Sequence, residues 1–455
     1  MLTWTQRGPV GRSQAGRPCG EQFIQPRGHD GVQPVGGSAG PRRAVTACRR
    51  GRGQQGAGAG LGQVDGDHRV DGAGEQILHR ARSGAGGRFP RRLQLVGVAV
   101  GERLGDGRLV GEELVEGPGR DPGPGGDGVE LARQGFAIRT TLRDPGQEAG
   151  LRAMLLAQLG HEHPVQALRA DLGGYAGWKE AVNGCDFVLH VASPFPAVPP
   201  ADPDELIRPA REGTLRVLRA ALEAGAERVV VTSSSSAAAQ DPRHRGGPVT
   251  EQQWTDPQGP RVRAYARSKT LAERAAWDFM RDAGAQHQLA VVAPGMLLGP
   301  VLGDHLSYSV TAVDRMLRGA TPGLPRLGFA VTDVRDVAAL HLLATTAPAA
   351  AGQRLLGTGP FLWFAEVAAI LRSRLGEAAA RVPTRQLPSL LVRAAAVFDP
   401  SIRQLLPDLG RRTDFSAAHA RTLLGWSPRP VEDTIVDCAR SLLARETPGT
   451  GAAGV

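Results

Sequence analysis

Cysteine is scarce and scattered. Cys19, Cys48, Cys185 and Cys438 are the four thiols in 455 residues. They form no CxxC pair and show no ligand spacing, which excludes a disulfide scaffold and a Cys-based zinc centre and fits a reducing, cytoplasmic compartment. Aromatic residues make up only 4% of the chain, and the excess arginines behind its +9 formal charge are spread through Gly-rich stretches without aromatic interleaving. That distribution argues against a nucleic-acid partner. No stretch approaches the ~18 uninterrupted apolar residues of a membrane helix, and the opening MLTWTQRGPVGRSQAGR lacks an apolar signal region, so no membrane association is expected.

A hydrophobic content of 41% over this length is enough for a substantial core in one large or two smaller domains. It is unevenly placed. Residues 1–128 hold Trp4, Phe23 and Phe89 but no tyrosine, and run through GRGQQGAGAGLGQVDGDHRVDGAG with no sustained period of 2 or 3.6. Such a segment cannot offset its ordering entropy by burial, so it reads as low-complexity and largely disordered, or as the product of a wrong reading frame. Within it, only RRLQLVGVAVGERLGDGRLVGEELVEG (91–117) has strand or short helical character. Its Gly101, Gly105 and Gly107 do not have GxGxxG spacing and are not expected to form a phosphate loop.

Order is expected from VELARQGFAIRTTLRDP onward. Glu130 to Gln134 reads as the end of a helix stopped by Gly135, and Phe136 to Leu142 as a strand. Strands near 165–169, 186–191, 229–232 and 289–294 then alternate with helices near 149–159, 175–182 and 204–223 and with a helix carrying YARSK. This pattern predicts βαβ units in an α/β, mainly parallel, Rossmann-like sheet. Helices near 305–318, 334–346, 363–375 and 430–443 predict a smaller, mostly helical lobe. The expected organisation is 1–128 as above, an incomplete dinucleotide-binding domain at 129–300, a substrate lobe at 301–445 with a strand returning to the sheet, and a flexible tail at 446–455.

The chemistry concentrates in YARSK, residues 265–269. Leu271, Ala275, Ala276 and Phe279 recur at helical spacing, and residues four apart share a helix face, so Tyr265 and Lys269 point the same way. An ammonium one turn away brings a phenol, with its ordinary pKa of about 10, closer to proton-transfer range. Upstream, Val229 to Val231 read as a buried strand ending in Thr232, Ser233, Ser234, Ser235 and Ser236, and ligands of open α/β sheets sit beyond such strand ends.

These residues resemble the catalytic Ser, Tyr and Lys of the extended short-chain dehydrogenase/reductases, the NAD-dependent epimerase/dehydratase family. The likeness is greatest to dihydroflavonol reductase-like NADP-dependent aldehyde or ketone reductases. TTLRDP (140–145), ADL (170–172), GCDFVLHVASP (184–194), IRPAREGTLRVLRAA (207–221), VVVTSS (229–234), APGMLLGP (293–300) and VTDVRDVAALH (331–341) match in the same order. The family's VTGxxGxxG turn is missing; GRDPGPGGDGVE stands in its place, with Pro124 interrupting the glycines and no apolar strand directly ahead of them.

The resemblance implies catalytic roles for Ser234, Tyr265 and Lys269, with Ser235 the alternative to Ser234. It implies cofactor contacts from Arg143, Asp171, Leu172, Val191, Ala192, Ser193, Lys269, Pro294 and Met296, with Arg139 placed to assist from the other end of the strand. Arg143, at a strand end where NAD enzymes usually carry an acid, favours NADP(H), with NAD(H) as the alternative. His190 reads as packed or locally hydrogen-bonded, since no second His or Cys lies at metal-ligand spacing, and no metal is expected. The implied reaction is reduction of a ketone or aldehyde to an alcohol by a monomer or homodimer acting on a small-molecule carbonyl or alcohol. Three alternatives stay open: a sugar-nucleotide epimerase/dehydratase, a steroid dehydrogenase/isomerase-like enzyme, and a catalytically defective product lacking its glycine loop.

Overall fold

The computed structural model describes residues 92–96, 123–194, 200, 202–241, 244–302, 306–403 and 405–446. The expectations for residues 1–91, including disorder, for Gly101, Gly105 and Gly107, and for the tail beyond Glu446 lie outside these described residues.

Among them, seven strands make one parallel sheet. In chain order they are β1 (Arg92–Val96), β2 (Ala137–Leu142), β3 (Val165–Arg169), β4 (Phe187–His190), β5 (Arg228–Thr232), β6 (Leu289–Pro294) and, later in the chain, β9 (Arg354–Gly357). Their spatial order is β3-β2-β1-β4-β5-β6-β9, all pairs parallel. Strand order reverses between β1 and β4, the topological switch point where open α/β sheets bind ligands.

The alternation of side chains along each strand explains the layers. Phe187, Leu189, Val230, Ala290 and Val292 feed one buried cluster, together with Val129 and Leu131 of helix α1 (Gly123–Arg133), Leu155 of α2 (Glu148–Leu159) and Leu340 of a helix described below. Their neighbours Val188, Val229, Val231, Leu289 and Val291 feed the opposite cluster. That cluster holds Trp178 and Val182 of α3 (Trp178–Val182), Val217 and Leu218 of α4 (Asp204–Glu223), and Ala276 and Met280 of α5 (Ala264–Asp282). Strands buried on both faces read as continuous apolar runs, which is why Val229 to Val231 were legible as one. Each fully buried valine there contributes roughly 1.5–3 kcal/mol.

Beyond β6 the chain builds a second cluster-bearing region. It contains β7 (Met296–Leu298), α6 (Tyr308–Leu317), β8 (Gly328–Asp333), α7 (Val334–Thr346), β10 (Phe361–Trp363), α8 (Phe364–Leu375), α9 (Ser389–Phe398), α10 (Ala418–Leu424) and α11 (Val431–Glu446). Helix α7 carries Leu340 back to the main sheet. Strands β10, β8 and β7 form a small sheet of three, and its Leu298 and Val331 pack with Val313, Val367, Leu371 and Ile435 from α6, α8 and α11.

Three expectations need correction. Ordered structure begins before Val129: helix α1 starts at Gly123, and Asp127 is 4% exposed. The sheet also keeps its central strand. Arg92–Val96 pairs with β2 on one side and β4 on the other. The strand falls inside the 91–117 stretch that has strand character in the sequence, and pairing on both edges gives its five residues their central place. The helix expected near 175–182 starts only at Trp178, because Gly177 turns the chain with φ +85°, and a Cβ there would lie 2.0 Å from the Arg169 carbonyl oxygen.

Candidate active site at the carboxyl edge of the sheet

Strand β5 delivers Thr232, Ser233 and Ser234 to the carboxyl edge of the sheet, and α5 runs past them. Ser234 is extended (φ −155°, ψ 148°), and its Oγ accepts from the Ser236 amide at 3.2 Å and the Ser236 hydroxyl at 2.9 Å, capping a short 3-10 turn. Lys269 is 3% exposed, and its Nζ donates to the Thr232 carbonyl at 3.2 Å. The same ammonium lies 6.0 Å from the centroid of the Tyr265 ring. Tyr265 is half-buried near the start of the helix. The arrangement sets a buried cation beside a phenol at the carboxyl edge of the sheet.

Two buried contacts that the sequence did not reveal hold this strand end, and beside them His190 makes the kind of local hydrogen bond expected of it. On one side His341 of α7 bonds Thr232 Oγ1 through Nε2 at 2.8 Å and Asp127 of α1 through Nδ1 at 3.0 Å. On the α5 side, Ser233 Oγ donates to Glu273 Oε2 at 2.6 Å, and Glu273 is paired with Arg354 of β9 at 2.6 Å. Next door, His190 Nε2 meets Thr214 Oγ1 at 3.0 Å. Burial, with the Lys269 charge second, pushes the His190 imidazole down to about 3. The one sequence signal for Glu273 was its place a turn beyond Lys269 on the face that meets the sheet; His341 and Arg354 had none.

The expected cofactor contacts divide. Arg143 is half-buried just past the end of β2, and Asp171 is exposed just past β3, its Oδ1 accepting from the Gly173 amide at 2.6 Å. Val191 and Ala192 are buried and Ser193 half-buried directly after β4. Pro294 closes β6. Arg139 is employed elsewhere: its guanidinium donates to the carbonyls of Ala181 at 3.2 Å and Asn183 at 2.7 Å, capping the end of α3. It sits near the start of β2, away from the carboxyl edge, because alternate positions of a strand serve different neighbours. Leu172 is 4% exposed and lies in the core, where a Cβ on Gly213 would meet it at 2.9 Å, so it does not offer a surface to a ring. Met296 turns toward the apolar cluster of the second region.

A dinucleotide can be fitted to the described residues at both ends. Lys269 presents a buried ammonium beside the end of β5 and Arg143 a guanidinium just past β2, with β1 and β4 between those two strands. The stretch on which a pyrophosphate rests in such folds, between β1 and α1, is residues 97–122 and lies outside the described residues.

Comparison with known proteins bears on this geometry. Residues 131–355 match the NAD dependent epimerase/dehydratase family. Cinnamoyl-CoA reductase 1 of Arabidopsis thaliana is 35% identical over 229 residues, 50% of this chain and 64% of that protein. Cinnamoyl-CoA reductase 1 of Oryza sativa subsp. japonica is 37% identical over 246 residues, 53% of this chain and 70% of its own length. The chain thus spans just under two thirds of the first of these relatives. A yeast methylglyoxal/isovaleraldehyde reductase, solved in complex with NADPH, shares the fold at a TM-score of 0.58 and 24% identity, covering 70% of this chain and 95% of that one. The chain belongs to the NAD dependent epimerase/dehydratase family. Among the described residues, no helix is long and apolar enough to cross a membrane.

Proposed function

We propose that this chain is an NADP(H)-dependent oxidoreductase that reduces a ketone or aldehyde to an alcohol, with Ser234, Tyr265 and Lys269 as its catalytic groups. The observation that supports the reading is the buried Lys269 ammonium, 6.0 Å from the Tyr265 ring centroid and bonded to the Thr232 carbonyl two residues before Ser234. The names of the relatives, reductases acting on a CoA thioester or on aldehydes, support the same reaction class.

NADP(H), when bound, supplies the hydride. Tyr265 gives its proton to the carbonyl oxygen as negative charge develops there, and Lys269 keeps the phenol acidic enough to do so. Ser234 donates a hydrogen bond to the same oxygen and fixes its distance from Tyr265, which is orientation and charge stabilisation together. Lys269 would also hold the ribose hydroxyls, Asp171 the adenine amine, and Arg143 the 2'-phosphate through a charge-assisted contact. Val191 to Ser193 and Pro294 line the approach, and residues 301–445 supply the substrate lobe.

The direct test is consumption of NADPH by the purified 455-residue chain against aromatic and aliphatic aldehydes, ketones and a cinnamoyl thioester. Carbonyl-dependent oxidation of NADPH in preference to NADH is expected. Turnover of sugar nucleotides with no net cofactor consumption would replace this reading with epimerisation.

A further inference from the structure

The most tightly connected polar group in the described residues lies behind Ser234. Ser233, Glu273 and Arg354 are 4%, 1% and 8% exposed. Glu273 uses both carboxylate oxygens. Oε1 accepts from Arg354 Nε at 2.6 Å and Trp277 Nε1 at 3.3 Å, and Oε2 accepts from the Ser233 hydroxyl at 2.6 Å and Arg354 Nη2 at 3.2 Å. Arg354 in turn donates to the carbonyls of Glu251 at 2.8 Å and Gln253 at 2.7 Å, and its guanidinium stacks 3.8 Å over the Trp254 ring. The Glu251 carboxylate accepts from the Leu356 amide at 3.0 Å, closing the group onto β9.

A buried ion pair is weak support for stability, since apolar residues of similar volume serve as well or better. Its distinctive property is direction. Glu273 lies on the same face of α5 as Tyr265 and Lys269, so the carboxylate ties Ser233 to the helix that carries the phenol. Ser234 is the next residue, one peptide step of about 3.8 Å from Ser233. Fixing the Ser233 side chain therefore fixes where the Ser234 hydroxyl stands relative to Tyr265.

We infer that the Ser233–Glu273–Arg354 chain is a positioning device for the reaction: it sets the Ser234 to Tyr265 geometry through Ser233 and touches no substrate itself. The inference rests on the catalytic reading given above. Its energetic logic is that a misplacement of about 1 Å at a catalytic hydrogen bond costs up to ~10²-fold in rate.

The experiment compares the full chain with Ser233→Ala, Ser233→Thr and the double variant Glu273→Leu/Arg354→Met, which exchanges the ion pair for apolar side chains and so keeps the core filled. Amide hydrogen exchange is read over residues 233–237, with β6 as the reference, alongside NADPH turnover. In Ser233→Ala and in the double variant, exchange over 233–237 should rise about tenfold while β6 is unchanged. Where the parent turns over, kcat should fall about tenfold with the KM for NADPH within about twofold. Ser233→Thr, which keeps the donor, should restore both. Unchanged exchange at 233–237, or a rise shared equally by β6, would overturn the inference, as would a kcat equal to the parent's. A parent that turns over no carbonyl defeats the reductase reading, and the exchange result then decides the positioning role by itself.

Discussion

The ammonium of Lys269 donates to the carbonyl oxygen of Thr232 at 3.2 Å, across a sequence separation of 37 residues. This bond links the helix that carries the phenol to the end of the strand that carries the serine, so one side chain holds two parts of the site together. Lys269→Met keeps the length and most of the apolar stem but removes the charge. It is expected to lower turnover about 10²-fold or more and to weaken NADPH binding about tenfold, because on the proposed reading the same ammonium serves phenol and ribose. Fluorescence titration of NADPH together with steady-state rates checks this; a loss in rate with unchanged cofactor affinity would remove Lys269 from the ribose.

On the proposed reading, Arg143 carries the cofactor preference. Arg143→Glu removes a charge-assisted partner for a 2'-phosphate and adds repulsion, so the NADPH to NADH affinity ratio should drop by at least about tenfold. Dissociation constants for both cofactors, before and after the change, measure it. An unchanged ratio would place the 2'-phosphate elsewhere.

His190 predicts an acid limb in stability. Its folded pKa is about 3 against an ordinary 6.5, so between those values the unfolded state binds a proton that the folded state does not. Stability present above about pH 6.5 is therefore lost as pH falls, by up to about 1.4 kcal/mol per unit. Urea midpoints at pH 7.5 and 5 should differ, and the difference should shrink in His190→Gln, which cannot titrate. An equal pH effect in the variant would assign the limb to other groups.

Strand β1 is paired on both sides. A chain beginning at Gly123 leaves β2 and β4 with unpaired facing edges in the middle of the sheet, and unpaired buried backbone groups are costly. Thermal unfolding should lose its cooperative transition or shift down by more than about 10 °C relative to the full chain. An unaltered transition would mean that Arg92–Val96 is dispensable to the sheet.

The elements legible in the sequence are those whose signal is local. The apolar run at Val229 to Val231, the helical stripe around Tyr265 and Lys269, and the helices at Asp204–Glu223 and Val334–Thr346 could be placed from their own residues. Strand β1 had strand character in the sequence, but its place in the sheet depends on the edges of β2 and β4 rather than on its own five residues. The contacts that hold the strand end are hidden for the same reason. His341 and Asp127 are 214 residues apart, and Arg354 and Glu273 are 81 apart, so no periodicity links them. Leu172 was assigned to the cofactor by likeness of motif and Arg139 by its place on the strand; their burial and partners depend on α3 and Gly213, which neither signal records.

The central claim is that Tyr265 is the proton donor of an NADPH-dependent carbonyl reduction. Its most direct test is single-turnover oxidation of NADPH by a saturating aldehyde in the parent chain and in Tyr265→Phe, with the NADPH dissociation constant measured in both. The account predicts a loss of about 10²-fold or more in the rate of hydride transfer with cofactor affinity within about threefold. A Tyr265→Phe chain that oxidises NADPH at the parent's rate would contradict it.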